Sequence, residues 1–176
     1  MKPRFLTLTV IIFAAAFLRL IPHPYNLAPI TAMALFGGAH FTNNRDAYLI
    51  TLGAMLVSDL FIGLWHTQLL IVYSCFALII TAGTWLQKHR TFRMTTVAAL
   101  GSSFLFFTVT NFTVWMFDGL YPLTFQGLIS CYAAAIPFFH NTLAGDLIYT
   151  GVFFGGFALA EKRFPVLKLP EFVLTK

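Results

Sequence analysis

Four side chains with ligand-binding or catalytic chemistry lie inside long apolar stretches of the 176-residue sequence: Asp59, Cys75, Asn111 and Asp146. Inserting a charged side chain into the middle of a bilayer costs about 3 kcal/mol, so such groups usually face a partner or a water-filled cavity. A cysteine thiolate is a soft ligand that binds late transition metals. The four residues therefore predict a polar site enclosed by apolar segments.

Placed by depth along the predicted spans, the strongly polar groups fall in one half of the membrane, which we call the outer half. We expect a substrate pocket there, formed by several spans, open to the outside and closed below by an almost wholly apolar inner half. The candidate substrate-binding residues are His23, Asn26, Asp59, His66, Tyr73, Cys75, Asn111, Trp115, Tyr132, His140, Asn141 and Asp146.

Each candidate also has a simpler interpretation. Asp59 and Asp146 could pair with Arg19 or bond neighbouring helices, and the asparagines could form interhelical hydrogen bonds without binding a ligand. His66 could lie in water at the interface. Cys75 could pack as a small apolar residue. The residue types alone leave both interpretations open.

Several kinds of chemistry have no motif in this chain. It contains no G-x-x-x-x-G-K-[ST] sequence, so it should hydrolyse no nucleotide itself, and it contains no H-E-x-x-H. The histidines lack the spacing of a metal site. No catalytic residues are assigned, although Cys75, His140 and Asp146 leave a membrane-embedded enzyme open as an alternative.

The composition predicts the elements that would position these residues. Hydrophobic residues make up 59% of the chain and charged residues 10%, whereas soluble domains average roughly 45–50% and about 25%. We therefore predict one transmembrane domain over residues 1–176, an all-α bundle of six membrane-spanning helices. The predicted spans are residues 5–21, 27–41, 47–65, 69–86, 95–117 and 138–160.

Pro137 interrupts the last apolar run. Because proline usually ends or kinks a helix, we expect residues 123–136 to form a short extra helix on the outer side, between spans 5 and 6. In span 2, the pairs Ala28/Ala32 and Ala34/Gly38 have the spacing of packing notches. Such notches accept a neighbouring helix or dock a partner subunit.

The basic residues predict the orientation. With six spans, both termini lie on one side, together with ten of the eleven Lys and Arg residues, and only Arg19 lies on the other. The positive-inside rule then places both termini in the cytoplasm. The charges lie between apolar runs, so the net charge of +5 indicates orientation in the bacterial inner membrane and not nucleic-acid binding.

Several segments resemble the substrate-binding S component of energy-coupling-factor (ECF) transporters. They are residues 19–30 (RLIPHPYNLAPI), 32–39 (AMALFGGA), 58–63 (SDLFIG), 110–115 (TNFTVW), 121–122 (YP) and 137–146 (PFFHNTLAGD). The resemblance implies a six-helix fold that binds a small-molecule vitamin. It also implies either an ECF module with its transmembrane and ATPase subunits as partner, or a protein that works alone in membrane lipid.

Within that group the chain is most similar to the BtuM-like cobalamin transporters. This resemblance implies no intrinsic cofactor, vitamin B12 (cobalamin) as the bound substrate, and Cys75 as a ligand of its cobalt. It also implies possible removal of cyanide from cyanocobalamin as a side activity. Vitamin uptake is thus the leading hypothesis. The alternatives are a membrane-embedded enzyme and a structural or assembly factor whose polar residues hold helices together.

Overall fold

The computed structural model describes residues 3–22, 27–63 and 68–168. All secondary-structure elements in these residues are helices, and none is a strand, so the predicted all-α class is confirmed. The helices are α1 (Pro3–Phe17), α2 (Ile30–His40), α3 (Asn44–Ile62), α4 (Leu69–Leu86), α5 (Phe92–Phe117), α6 (Phe125–Thr150) and α7 (Gly156–Arg163), with short 3-10 turns at Leu18–Leu20 and Pro165–Leu167.

The predicted extra helix between spans 5 and 6 is wrong. Helix α6 runs through Pro137 and continues by a π-helical turn, Gly151–Gly155, into α7, so that Phe125–Arg163 is one helix of 39 residues. Proline removes a single backbone hydrogen bond and crowds one carbonyl. Packing against α5 on both sides of Pro137 holds the helix together: Tyr132 donates to the Thr108 carbonyl at 2.6 Å before it, and Ser103 donates to Asp146 at 2.6 Å after it.

Helix α2 is the central helix, and every residue from Thr31 to His40 is buried. Its small side chains let α4 approach closely, since a Cβ placed on Gly38 would lie 2.8 Å from the Cα of Gly83. The notch at Ala34/Gly38 is therefore filled by a helix of the same chain. Packing of a helix of the same chain is thus the one of the two predicted uses that the structure shows at this notch.

The exterior of the bundle is strongly apolar. Leu70, Phe92, Phe104 and Phe125 are each more than 60% exposed, as are other large apolar side chains. Four helices are long and apolar enough to cross a membrane: Pro3–Leu20, Leu69–Leu86, Phe92–Phe117 and Phe125–Arg163. Helix α2 has only 11 residues, about 16 Å of rise, and is enclosed by the other helices.

Helices α1 to α6 alternate in direction, and α7 continues α6, so the bundle has two ends. The Arg19 end is where α1, α3 and α5 finish, and the Arg4 end is where they begin. Each end carries one of the two ion pairs found within the described residues, Arg19–Asp59 and Arg4–Glu161. The Arg19 end corresponds to the predicted outer side.

Candidate functional site: a cavity at the Arg19 end

A cavity of about 480 Å³ opens at the Arg19 end, above the start of the short helix α2. Helix α2 begins at Ile30, and its first residues, Ile30 and Thr31, line the cavity. The polar residues that line the cavity are Arg19, Thr31, Gln68, Thr110, Asn111, Thr142 and Asp146, and the main aromatic ones are Phe106, Phe107, Phe138 and Phe139.

A hydrogen-bonded network of Arg19, Ser58, Asp59 and Tyr73 stabilises one wall of the cavity. The Arg19 guanidinium lies 2.7 Å from Asp59 Oδ1 and donates to Ser58 Oγ at 2.7 Å. Tyr73 donates its hydroxyl to the other oxygen of Asp59 at 2.7 Å. Asp59 is only 6% exposed. The network joins the end of α1 to α3 and α4, and it neutralises both charges.

Asp146 forms the polar group at the base of the cavity. It is 1% exposed and accepts a hydrogen bond from Ser103 Oγ at 2.6 Å and another from Thr31. It belongs to neither of the two ion pairs within the described residues. Asp146 is therefore a buried carboxyl group held by hydroxyls alone, and a cation or an N–H donor on a ligand would stabilise its charged form.

Helices α5 and α6 form the aromatic side of the cavity. The rings of Phe107 and Phe139 lie 4.4 Å apart between centroids, and Asn111 donates its side-chain amide to the Phe107 carbonyl at 2.8 Å. Sites for small organic molecules combine such apolar walls with a few polar groups. This cavity has the same composition.

The structure places the predicted residues differently with respect to the cavity. Asn111 and Asp146 line it. Asp59 and Tyr73 lie behind its wall in the Arg19 network. The predicted residues His23, Asn26 and His66 lie outside the described residues.

The other predicted residues do not line the cavity. Cys75 is buried in the core, 1% exposed. Trp115 donates to the Pro122 carbonyl at 2.9 Å, and Tyr132 packs its hydroxyl on α5. His140 is exposed, and Asn141 is partly buried.

Sequence reasoning missed part of the lining. Arg19 carries a signal that could have identified it, because it is the single basic residue on the predicted outer side. Thr31, Thr110 and Thr142 carry none, since threonine is common in apolar helices, where its hydroxyl bonds the preceding turn. Thr110 does so here, donating to the Phe106 carbonyl at 2.7 Å.

The described residues assemble neither a metal-ligand cluster nor the predicted enzyme set at this cavity. Within the described residues, no group of three or more His, Cys, Asp or Glu side chains could hold a metal ion. Of Cys75, His140 and Asp146, only Asp146 reaches the cavity. The set proposed for an enzyme is thus not assembled at this site.

The opposite end is more polar than predicted. Arg4 is 7% exposed and pairs with Glu161, donates to the Leu167 carbonyl and donates to the His40 carbonyl at 3.1 Å. These contacts tie α1, the end of α2 and the last helical turns together. The expectation of an almost wholly apolar inner half is wrong, because Arg4, which in the sequence marks only the start of a span, is buried here beside the partly exposed Glu161.

Residues 1–167 match the model of a family described as a family of unknown function, DUF6580, and the chain therefore belongs to that family. Neither the curated proteins nor the solved structures gave a match to the chain.

Proposed function

Taking that family membership as the starting point, we propose that this chain is an integral membrane protein that binds a vitamin or a similar small organic solute in the cavity at the Arg19 end. In this role it resembles the S component of an ECF transporter. The observation that carries the proposal is the cavity itself, with a buried Asp146 that has no basic partner within the described residues.

The proposal places the protein in the bacterial inner membrane, with six spans and both termini in the cytoplasm. The apolar exterior and the four long apolar helices support insertion in a bilayer. The Arg19 end then faces the periplasm, and the solute enters from there. Energy must come from an ATPase module, or the protein works alone, since the sequence carries no nucleotide-binding motif of its own.

The lining indicates the chemistry of the solute. Asp146 favours a ligand that carries a cation or N–H donors, and the phenylalanines of α5 and α6 favour a flat or apolar body. Arg19 is already paired with Asp59, so it offers less to an anion. A cationic or N–H-rich heterocycle fits these features better than a carboxylate does.

The proposed substrate within this class is a corrinoid, whose amide side chains supply N–H donors, with Cys75 as a ligand of the cobalt. Cys75 is buried and does not line the cavity. A corrinoid is also larger than the drug-sized ligands that fill roughly 300–1,000 Å³. Cobalt coordination therefore requires α4 to open towards the cavity near Val72, which lies one turn from Cys75.

The test is ligand binding by the purified protein in detergent, measured by calorimetry with thiamine as the cationic heterocycle, cyanocobalamin as the corrinoid and biotin as the anionic comparison. We expect binding of one of the first two and no binding of biotin. Asp146→Ala should lower the affinity at least tenfold, whereas Asp46→Ala, an aspartate at the opposite end that does not line the cavity, should leave it unchanged. Equal affinities of the wild type and both variants would show that the solute does not bind in this cavity.

The corrinoid assignment has its own test. Protein purified from cells fed with cyanocobalamin should be coloured, Cys75→Ala should lose the colour, and Cys131→Ala should keep it. Both cysteines are buried, so the pair controls for the loss of a packed thiol. A colourless wild-type protein would exclude the corrinoid while leaving the smaller solutes to the binding assay.

A further inference from the structure

A second cavity, of about 910 Å³, lies at the Arg4 end, between the end of α2, the start of α5 and the turn that joins α6 to α7. It shares no lining residue with the cavity at the Arg19 end. Its polar lining consists of His40, Arg90, Thr91, Thr95, Thr96, Thr150 and Glu161, and its apolar lining of Phe92, Leu147, Gly151, Phe154, Gly155 and Ala158.

The polar part of this cavity holds a buried threonine hydroxyl, an arginine and a glutamate. Thr150 is 6% exposed, and its hydroxyl has no hydrogen-bond partner within the described part of the chain. Glu161 is engaged by Arg4, and Arg90 takes part in neither ion pair of residues 3–22, 27–63 and 68–168. Arg4 and Arg90 outweigh Glu161, so the surroundings are net positive and suit an anion.

The apolar part is open space beside a glycine-rich π-helical turn. A Cβ placed on Gly151 or Gly155 would meet no heavy atom within 4 Å. Phe154 and Leu147 lie on the same side. π-helical turns occur frequently at functional sites. A hydrocarbon chain would therefore find an apolar surface directly beside the basic, hydroxyl-bearing groups.

We propose that this cavity binds an anionic phospholipid, with the phosphate held by Arg90 and the threonine hydroxyls and an acyl chain laid along Gly151, Phe154 and Gly155. Basic pockets between membrane helices on the cytoplasmic side bind lipids of this kind. Free phosphate would fill the polar part and leave the apolar wall in water. The combination of both parts selects the lipid.

The experiment compares lipid adducts of the full-length protein by native mass spectrometry after exchange into phosphatidylglycerol or phosphatidylcholine. We expect phosphatidylglycerol to be retained at least fivefold more. Arg90→Gln should lower its retention about fivefold, the equivalent of about 1 kcal/mol for one basic residue at a membrane surface. Gly155→Leu, which fills the apolar part, should lower retention of phosphatidylglycerol further.

Gly156→Leu is the matched control, because Gly156 is the next residue, has the same open surroundings and does not line the cavity. It should bind lipid as the wild type does. Equal retention of both lipids, unchanged retention in Arg90→Gln, or displacement of phosphatidylglycerol by excess inorganic phosphate would each overturn the proposal. Because Arg90 is a loop residue, its variant keeps the test decisive even if Gly155→Leu fails to fold.

Discussion

Asp59 and Asp146 are two buried carboxyl groups that flank the same cavity in different surroundings. Asp59 pairs with the Arg19 guanidinium and accepts a hydrogen bond from the Tyr73 hydroxyl. Asp146 accepts hydrogen bonds from hydroxyl groups only. A buried ion pair gives little net stability, but removing one partner leaves an uncompensated charge. The first aspartate therefore serves the fold, and the second is left to interact with a ligand.

At the residue scale, we predict that Arg19→Met destabilises the protein by about 3 kcal/mol, because Asp59 would remain buried without its partner. Tyr73→Phe should cost about 1.5 kcal/mol, the low end of the range for one hydrogen bond to a charged acceptor. The measurement is thermal unfolding of the detergent-solubilised protein. Arg45→Met, which removes an exposed arginine at the other end, should leave the midpoint unchanged; an equal loss there would contradict the assignment.

The sequence indicated that both aspartates need an interaction partner, but it did not identify the partner of each. Hydropathy gives the depth of a residue along its helix, and depth brought Arg19 and Asp59 to the same level. It gives no rotation about the helix axis, and rotation decides whether a side chain faces the cavity or the core. Cys75 shows the consequence, since its predicted depth leaves it in the core beside Phe76 and not in the cavity.

At the element scale, the crossing of α2 and α4 limits which side chains the centre of the bundle accepts. We predict that Gly83→Ala destabilises the protein by about 1–3 kcal/mol, because its Cβ would lie 2.8 Å from the Cα of Gly38 and backbone atoms cannot yield as a flexible side chain does. Unfolding in increasing detergent or SDS would measure the change.

Gly53→Ala is the matched control for that variant. A Cβ on Gly53, inside α3, meets no heavy atom within 4 Å. Alanine should therefore stabilise this helix by up to about 1 kcal/mol, the difference in helix propensity. The two substitutions thus have opposite expected signs, and a loss of similar size for both would show that the close approach of α2 and α4 is not what restricts Gly83.

Helix existence and type followed from apolar run length, and α4 has the predicted bounds of residues 69–86. The errors lie where neighbours decide the outcome. Pro137 locally favours the end of the helix. The contacts of α6 with α5 before and after Pro137 outweigh this preference. Helix α2 is shorter than the predicted span of residues 27–41, because it begins directly after Pro29 and ends at His40.

At the scale of the whole molecule, polar groups concentrate at the two ends around an apolar exterior. The Arg19 end has the smaller cavity, with the carboxyl group of Asp146, and the Arg4 end has the larger one, with Arg90. Neither group belongs to an ion pair of the described residues. The ligands proposed for the two cavities therefore carry opposite charges. This division suits a protein that takes a solute on one side while anionic lipid anchors it on the other.

The orientation in the membrane is the last prediction. With Cys75 and Cys131 replaced by alanine, we introduce Leu120→Cys at the Arg19 end or Lys88→Cys at the Arg4 end; Leu120 is 71% exposed, and Lys88 is also exposed. Because basic residues collect at the Arg4 end, the positive-inside rule places that end in the cytoplasm. A membrane-impermeant maleimide should then label Leu120→Cys in intact cells and Lys88→Cys only after lysis. The reverse pattern would invert the topology and turn the solute cavity towards the cytoplasm.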